Sequence, residues 1–136
     1  MIVLDSSFLI AFHNERDGQH EVACGLMCDF LAGTWGKGLL PEYVFLEIVT
    51  VLLVRRDLET AVRVGQLLLE PQELEFVLCS DLFLDTVGAF AAQKNTRLSF
   101  ADSAIAVIAR TKADGRVLTF DAEFRKMPGL HPEPTH

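Results

Sequence analysis

The sequence predicts an α/β domain, a three-layer α/β/α sandwich built around a mainly parallel central sheet. Two observations carry that prediction. Short apolar runs at Ile2 to Leu4, Leu39 to Leu40, Leu74 to Cys79 and Arg116 to Phe120 alternate with longer segments whose apolar residues recur at helical spacing. Two of these runs, in MIVLD and RVLTFD, end at an acid, so that neighbouring parallel strands would bring Asp5 and Asp121 to one edge of the sheet. A chain of 136 residues has the size of one domain with one core. No repeat or linker divides it, so residues 1–136 are expected to form a single domain, with 131–136 a terminal strand or a loose tail.

Ile2 to Leu4 suits a strand buried on both faces. Ser6 or Ser7 then caps a short helix through Phe8, Leu9, Ile10 and Phe12, and Gly18 interrupts. From His20 the stripe Val22, Leu26, Met27, Phe30 and Leu31 marks a helix ending near Gly33. On that helix His20, Cys24 and Cys28 recur every fourth residue. A rise of about 6 Å per step is too long for all three to meet one ion at bonds of about 2.0–2.3 Å, so packing and surface roles are expected.

Leu39 and Leu40 form a short strand, and Pro41 turns into a helix over roughly Val44 to Arg56 that is apolar enough to be largely enclosed. Glu47 interrupts that run and is expected at the margin of the core, where a carboxylate requires a cation, a metal or hydrogen-bond donors. Leu58 to Leu69 is a further helix, closed by Pro71. After the strand Leu74 to Cys79, Ser80 and Asp81 are expected to cap a helix with Leu82, Phe83, Val87, Phe90 and Ala91 on its apolar face. Another helix runs from Ser99 or Phe100 to about Lys112, with Asp102 in its first turn, where the helix terminus favours an anion. Asp114 and Gly115 turn the chain into the strand Arg116 to Phe120, and a helical turn follows that stops near Pro128 and Gly129.

The 19 acidic residues against 12 Lys and Arg give a formal charge of -7, which argues against a broad non-specific nucleic-acid surface but leaves room for a basic rim beside an acidic site. Arg55, Arg56, Lys94, Arg97, Arg110, Arg125 and Lys126 are the candidates for that rim. Three cysteines without a CxxC pair suggest neither a disulfide framework nor a thiolate zinc site. The opening residues lack the basic start of a signal peptide, and a cytoplasmic protein without membrane association is expected.

Asp5, Glu47, Asp102 and Asp121 therefore stand beside the ends of core elements, with Glu123 close behind the last. Hard divalent cations take oxygen ligands, and one or two carboxylates with waters hold Mg²⁺ against a phosphate. Such an ion activates water and stabilises charge on a phosphodiester, which favours phosphodiester hydrolysis over acid–base chemistry on a neutral substrate. The chain has no EF-hand loop, no GxxxxGK[ST] and no GxGxxG, so calcium sensing, nucleotide hydrolysis and dinucleotide binding recede.

In IVLDSS, PEYVFLEIVTVL, SFADSAIAVIA and VLTFDAEFRKMPGL, taken in this order, the chain resembles the PIN-domain family, particularly its small VapC-like ribonuclease toxins. The resemblance implies a PIN-like fold over nearly the whole chain, with Asp5, Glu47, Asp102 and Asp121 as catalytic and metal-holding acids. Where many relatives carry a further Asp, this chain has Glu123, a secondary metal-ligand candidate. Thr119 or Ser6 is a candidate for supporting a ligand or capping locally. The resemblance also implies Mg²⁺ or Mn²⁺ as cofactor, single-stranded RNA as substrate, cleavage to a 5′-phosphate and a 3′-hydroxyl, a homodimer, and a small antitoxin partner. The alternatives are a catalytically weak or inactive RNA- or metal-binding adaptor of the same fold, a structural or regulatory protein, and a DNA nuclease.

Overall fold

A computed structural model describes residues 1–135. Five strands form one sheet: β1 (Ile2–Leu4), β2 (Gly38–Pro41), β3 (Leu74–Val77), β4 (Arg116–Leu118) and β5 (His131–Glu133). Every neighbouring pair is parallel, in the order β3-β2-β1-β4-β5. Six helices connect them: α1 (Ser6–His13), α2 (His20–Leu31), α3 (Glu42–Arg55), α4 (Leu58–Leu69), α5 (Phe83–Ala91) and α6 (Phe100–Lys112). The chain steps outward from β1 to β2 to β3, then returns across the sheet to β4. With right-handed crossovers that reversal puts helices on both faces, giving the α/β/α sandwich. It also makes the crevice beyond the carboxyl ends of β1 and β4 the topological switch point, the place where such sheets bind ligands.

The core explains why so short a strand as β1 holds its place. Ile2, Val3 and Leu4 are fully buried, as are Leu39, Val117 and Leu118 beside them in the sheet, and Phe8, Ile48, Ile105, Ile108 and Phe124 pack in the same cluster. Gly38 is needed in β2 because a Cβ there would lie 2.7 Å from the Phe30 ring and 2.8 Å from Leu74.

Several local expectations change. The cap of α1 is Asp5 rather than a serine, and it makes no side-chain capping bond. Ser80 and Asp81 lie in a 3-10 turn, Cys79–Leu82, and α5 starts after it without a side-chain cap. That turn is held by the Glu42 carboxylate, which accepts from the Cys79 and Ser80 N–H groups at 3.0 and 3.4 Å. Helix α3 is not largely enclosed: Val44, Ile48 and Leu52 face the core, whereas Leu46 and Val54 are 63% and 78% exposed. Residues 131–133 form the edge strand β5, in which Pro132 is tolerated. His136 lies outside the described residues.

His20 and Cys24 face each other at 3.4 Å, while His20 Nδ1 lies 2.8 Å from the Ala11 carbonyl oxygen, an ordinary helix-to-helix contact. No described helix is long and apolar enough to cross a membrane.

Candidate active site

Because β1 and β4 are neighbours in register, the residues that follow them meet. The Asp5 N–H donates to the Leu118 carbonyl at 3.0 Å, which joins the two strand ends. The Asp5 side chain turns into a buried polar knot, with the residue only 3% exposed. Its Oδ2 accepts from Ser7 Oγ and from Thr119 Oγ1, both at 2.7 Å. Each hydroxyl in turn accepts a backbone N–H, Ser7 from Phe120 and Thr119 from Asp121, at 2.9 Å. The loop after β4 and the start of α1 thus share one hydrogen-bond network whose focus is a single carboxylate oxygen.

The other oxygen, Oδ1, is buried and has no hydrogen-bond partner among the described residues. An unpaired buried acceptor costs about 1–3 kcal/mol, and an ionised one costs more. Burial accordingly pushes the Asp5 carboxyl above its ordinary range; the Thr119 and Ser7 hydrogen bonds oppose the rise, and the Glu47 charge adds to it.

Asp5, Glu47, Asp102 and Asp121 all line one cleft of about 570 Å³, so the four acids expected from the sequence share a single space. Asp102 occupies the third position of α6 and completes a capping box: Ser99 Oγ accepts from its N–H at 3.1 Å, and its Oδ2 accepts from the Ser99 N–H at 3.3 Å. The capping role and a place in the cleft coexist. Partial burial, followed by the charge of Asp5, pushes the Asp102 carboxyl up from 3.8 to about 6. Asp121 caps the 3-10 helix Ala122–Lys126, with Oδ1 accepting from the Glu123 N–H at 2.9 Å. Glu47 is solvent-exposed on α3, so the enclosure of that helix, and with it a place for Glu47 at the core margin, is corrected by the same exposed face.

Among the described residues no group of three or more His, Cys, Asp or Glu side chains is gathered closely enough to enclose a metal ion. The carboxylates line a shared cleft without forming a closed cage. The donor set still suits a hard divalent cation, because the orphaned Asp5 Oδ1 is a buried carboxyl oxygen without a donor and the other acids lining the cleft supply further oxygen ligands.

A family model of the PIN domain matches residues 2–130. The chain belongs to the PIN-domain family. No curated protein matches the sequence significantly. Solved structures similar to this PIN domain include the toxin VapC20 of Mycobacterium tuberculosis, described as cleaving the sarcin–ricin loop. It superposes with a TM-score of 0.83 at 21% identity, covering 96% of this chain and 97% of that one. A toxin–antitoxin complex from Klebsiella pneumoniae gives 0.66 at 12% identity over 96% of both chains. VapBC2 of Rickettsia felis, bound to a DNA fragment from its promoter, gives 0.64 at 16% identity over 98% of both. At these identities the likeness is one of fold.

Glu123 stands apart from the other acids of this PIN domain. It does not line the cleft; its carboxylate bonds Lys126 Nζ at 3.0 Å and accepts from the Arg97 N–H at 3.4 Å, and these contacts hold it below the ordinary carboxylate range. Ser6 also lines the cleft, but the hydroxyls that hold Asp5 are those of Ser7 and Thr119. The cleft contains further residues that the sequence did not single out as site members, Asp17 and Gln19 from the loop before α2, and it places Arg55 there from the list of rim cations. Asp17 sits in a short polar loop with no apolar run to mark it, so only the fold reveals its position.

Proposed function

We propose that this PIN domain is a Mg²⁺- or Mn²⁺-dependent endoribonuclease that hydrolyses phosphodiester bonds of single-stranded RNA, and that it is the toxin of a toxin–antitoxin pair. The observation that carries the reading is Asp5: one oxygen is fixed by two hydroxyls, the other is buried without a partner, and Glu47, Asp102 and Asp121 share its cleft together with Asp17. Asp5, Glu47, Asp102 and Asp121 are the residues that would hold the cation and its waters. When bound, such an ion supplies a water of lowered pKa and stabilises charge on the phosphodiester.

The chain's own groups have distinct tasks in this reading. Ser7 and Thr119 orient Asp5, so that its free oxygen is presented in one direction rather than rotating. Burial and the Asp5 charge raise the Asp102 carboxyl to about 6, and a cation beside it favours its charged form. Arg55 is a cation among acidic lining residues and is suited to a substrate phosphate.

Toxin membership draws support from fold likeness to toxin–antitoxin complexes and from apolar surface left uncovered. An apolar groove of about 370 Å³ lies between α3 and α4, bordered by Phe45, Leu53, Leu58, Val62 and Leu69, and suits a helix or strand of a small antitoxin. A second exposed apolar face on α5 carries Phe83, Leu84, Val87 and Phe90, and suits a homodimer.

The test is cleavage of defined single-stranded RNA and DNA by the purified protein with Mg²⁺, with Mn²⁺ and with EDTA. RNA cut in both metals and untouched in EDTA is the expected result. Binding of RNA without EDTA-sensitive cleavage assigns the adaptor function instead.

A further inference from the structure

A second polar cleft, of about 460 Å³, lies away from the acids, between the α5–α6 loop, α6 and the end of the 3-10 helix Ala122–Lys126. Lys94, Arg110 and Lys126 line it together with the amides Gln93 and Asn95, and no carboxylate does. In a chain with 19 acids and 12 Lys and Arg, three cations line this one cleft, with Glu123 paired to Lys126 at its edge.

The cleft is built rather than incidental. Gln93 organises the loop beneath Lys94: its Nε2 donates to the Leu98 carbonyl at 2.9 Å, and its Oε1 accepts from Thr96 Oγ1 at 2.8 Å and the Leu98 N–H at 2.7 Å. Arg110 is clamped by its Nε and Nη2, which donate to the Pro128 carbonyl at 3.2 and 2.8 Å, so its remaining N–H groups point from a fixed base. Glu123 ties the two sides together, bonding Lys126 on one side and the Arg97 N–H on the other. Arg110 and Lys126, held in place by such bonds, lose little freedom when an anion arrives.

The connection to the acidic cleft is direct. Asp121 lines the first cleft and Lys126 the second, and the segment between them is the 3-10 helix of five residues. At a rise of about 2.0 Å per residue it spans about 10 Å, a separation that one strand bridges within a few nucleotides. The geometry points to the Lys94–Arg110–Lys126 cleft as a phosphate-binding exosite that holds the RNA backbone a few nucleotides from the scissile bond, with Glu123 as the residue that positions it. The inference rests on the ribonuclease reading for the identity of the polymer and on nothing else in it.

The test measures binding of a short single-stranded RNA in EDTA, where cleavage plays no part, as a function of salt concentration. Each phosphate contact removed from a single strand lowers the slope of log affinity against log salt by about 0.7. The Lys94→Gln/Lys126→Gln protein should therefore bind several-fold more weakly, with a slope shallower by about 1.4. Lys94→Gln alone, at an exposed position, should show about half that change. Lys37→Gln/Lys112→Gln removes the same net charge elsewhere and should keep the wild-type slope. A wild-type slope in the first variant, an equal loss in the control, or no RNA binding by the wild type overturns the exosite. Failure of the nuclease reading shows separately, as absence of metal-dependent cleavage by a protein whose RNA binding still depends on Lys94 and Lys126.

Discussion

Asp5 concentrates the chemistry of the chain in two oxygens with opposite surroundings. Removing one of the donors to Oδ2 has a calculable sign. Thr119→Val keeps the shape but deletes a hydrogen bond that lowers the Asp5 pKa and strands the Asp121 N–H. We expect a loss of about 1–3 kcal/mol of stability by denaturant unfolding and a shift of the acid limb of the pH–rate profile to higher pH. Asp102 gives a second titration with the reverse test. Its folded-state value of about 6 lies above 3.8, so the folded protein keeps this proton while the unfolded chain loses it. The metal-free protein should therefore lose stability from this group as pH rises through that window, and Mg²⁺ or Mn²⁺ should stabilise it more at pH 7 than at pH 5. Asp102→Asn preserves the capping oxygen and should flatten that part of the melting temperature against pH in EDTA, while removing activity. Asp5 and Asp121 were legible in the sequence because each ends an apolar run. Ser7 and Thr119 were not separable from neighbouring hydroxyls, because their contact spans 112 positions and exists only once β1 and β4 pair.

At the scale of elements, β4, the strand that delivers Asp121, depends on the tight turn before it. Gly115 has φ +81°, and a Cβ there would collide with the carbonyl oxygen of Gly129, where the chain turns back towards β5. Gly115→Ala combines a left-handed backbone with that collision and should cost about 2–5 kcal/mol, measured as a lowered denaturant midpoint. The remaining elements were legible to different degrees, for physical reasons. Strand β1 and helix α6 announce themselves by a buried run and by helical period with a capping serine. Strand β5 reads His-Pro-Glu, an edge segment whose backbone pairs with β4 while its side chains carry no apolar signal. Helix α3 shows the converse limit: apolar residues all around a helix read the same whether they enter a core or await a partner, and only the fold shows that Leu46 and Val54 lie outside.

For the whole molecule, the parallel order β3-β2-β1-β4-β5 places a reversal between β1 and β4, and the acidic cleft opens there. The rest of the surface is arranged in separate territories: the cationic cleft of Lys94, Arg110 and Lys126, the apolar groove of α3 and α4, and the apolar face of α5. Leu84 is 82% exposed on α5, so Leu84→Glu should leave the melting temperature near wild type while converting the proposed homodimer to monomer in light scattering. The central claim, that the acids gathered at the switch point make this PIN domain a metal-dependent ribonuclease, is tested most directly by comparing wild type with Asp5→Asn on a defined single-stranded RNA. With Mg²⁺ or Mn²⁺ the wild type should release fragments bearing a 5′-phosphate and a 3′-hydroxyl, EDTA should stop it, and the folded Asp5→Asn protein should be inactive. Full cleavage by folded Asp5→Asn, or wild-type cleavage unaffected by EDTA, would contradict the account.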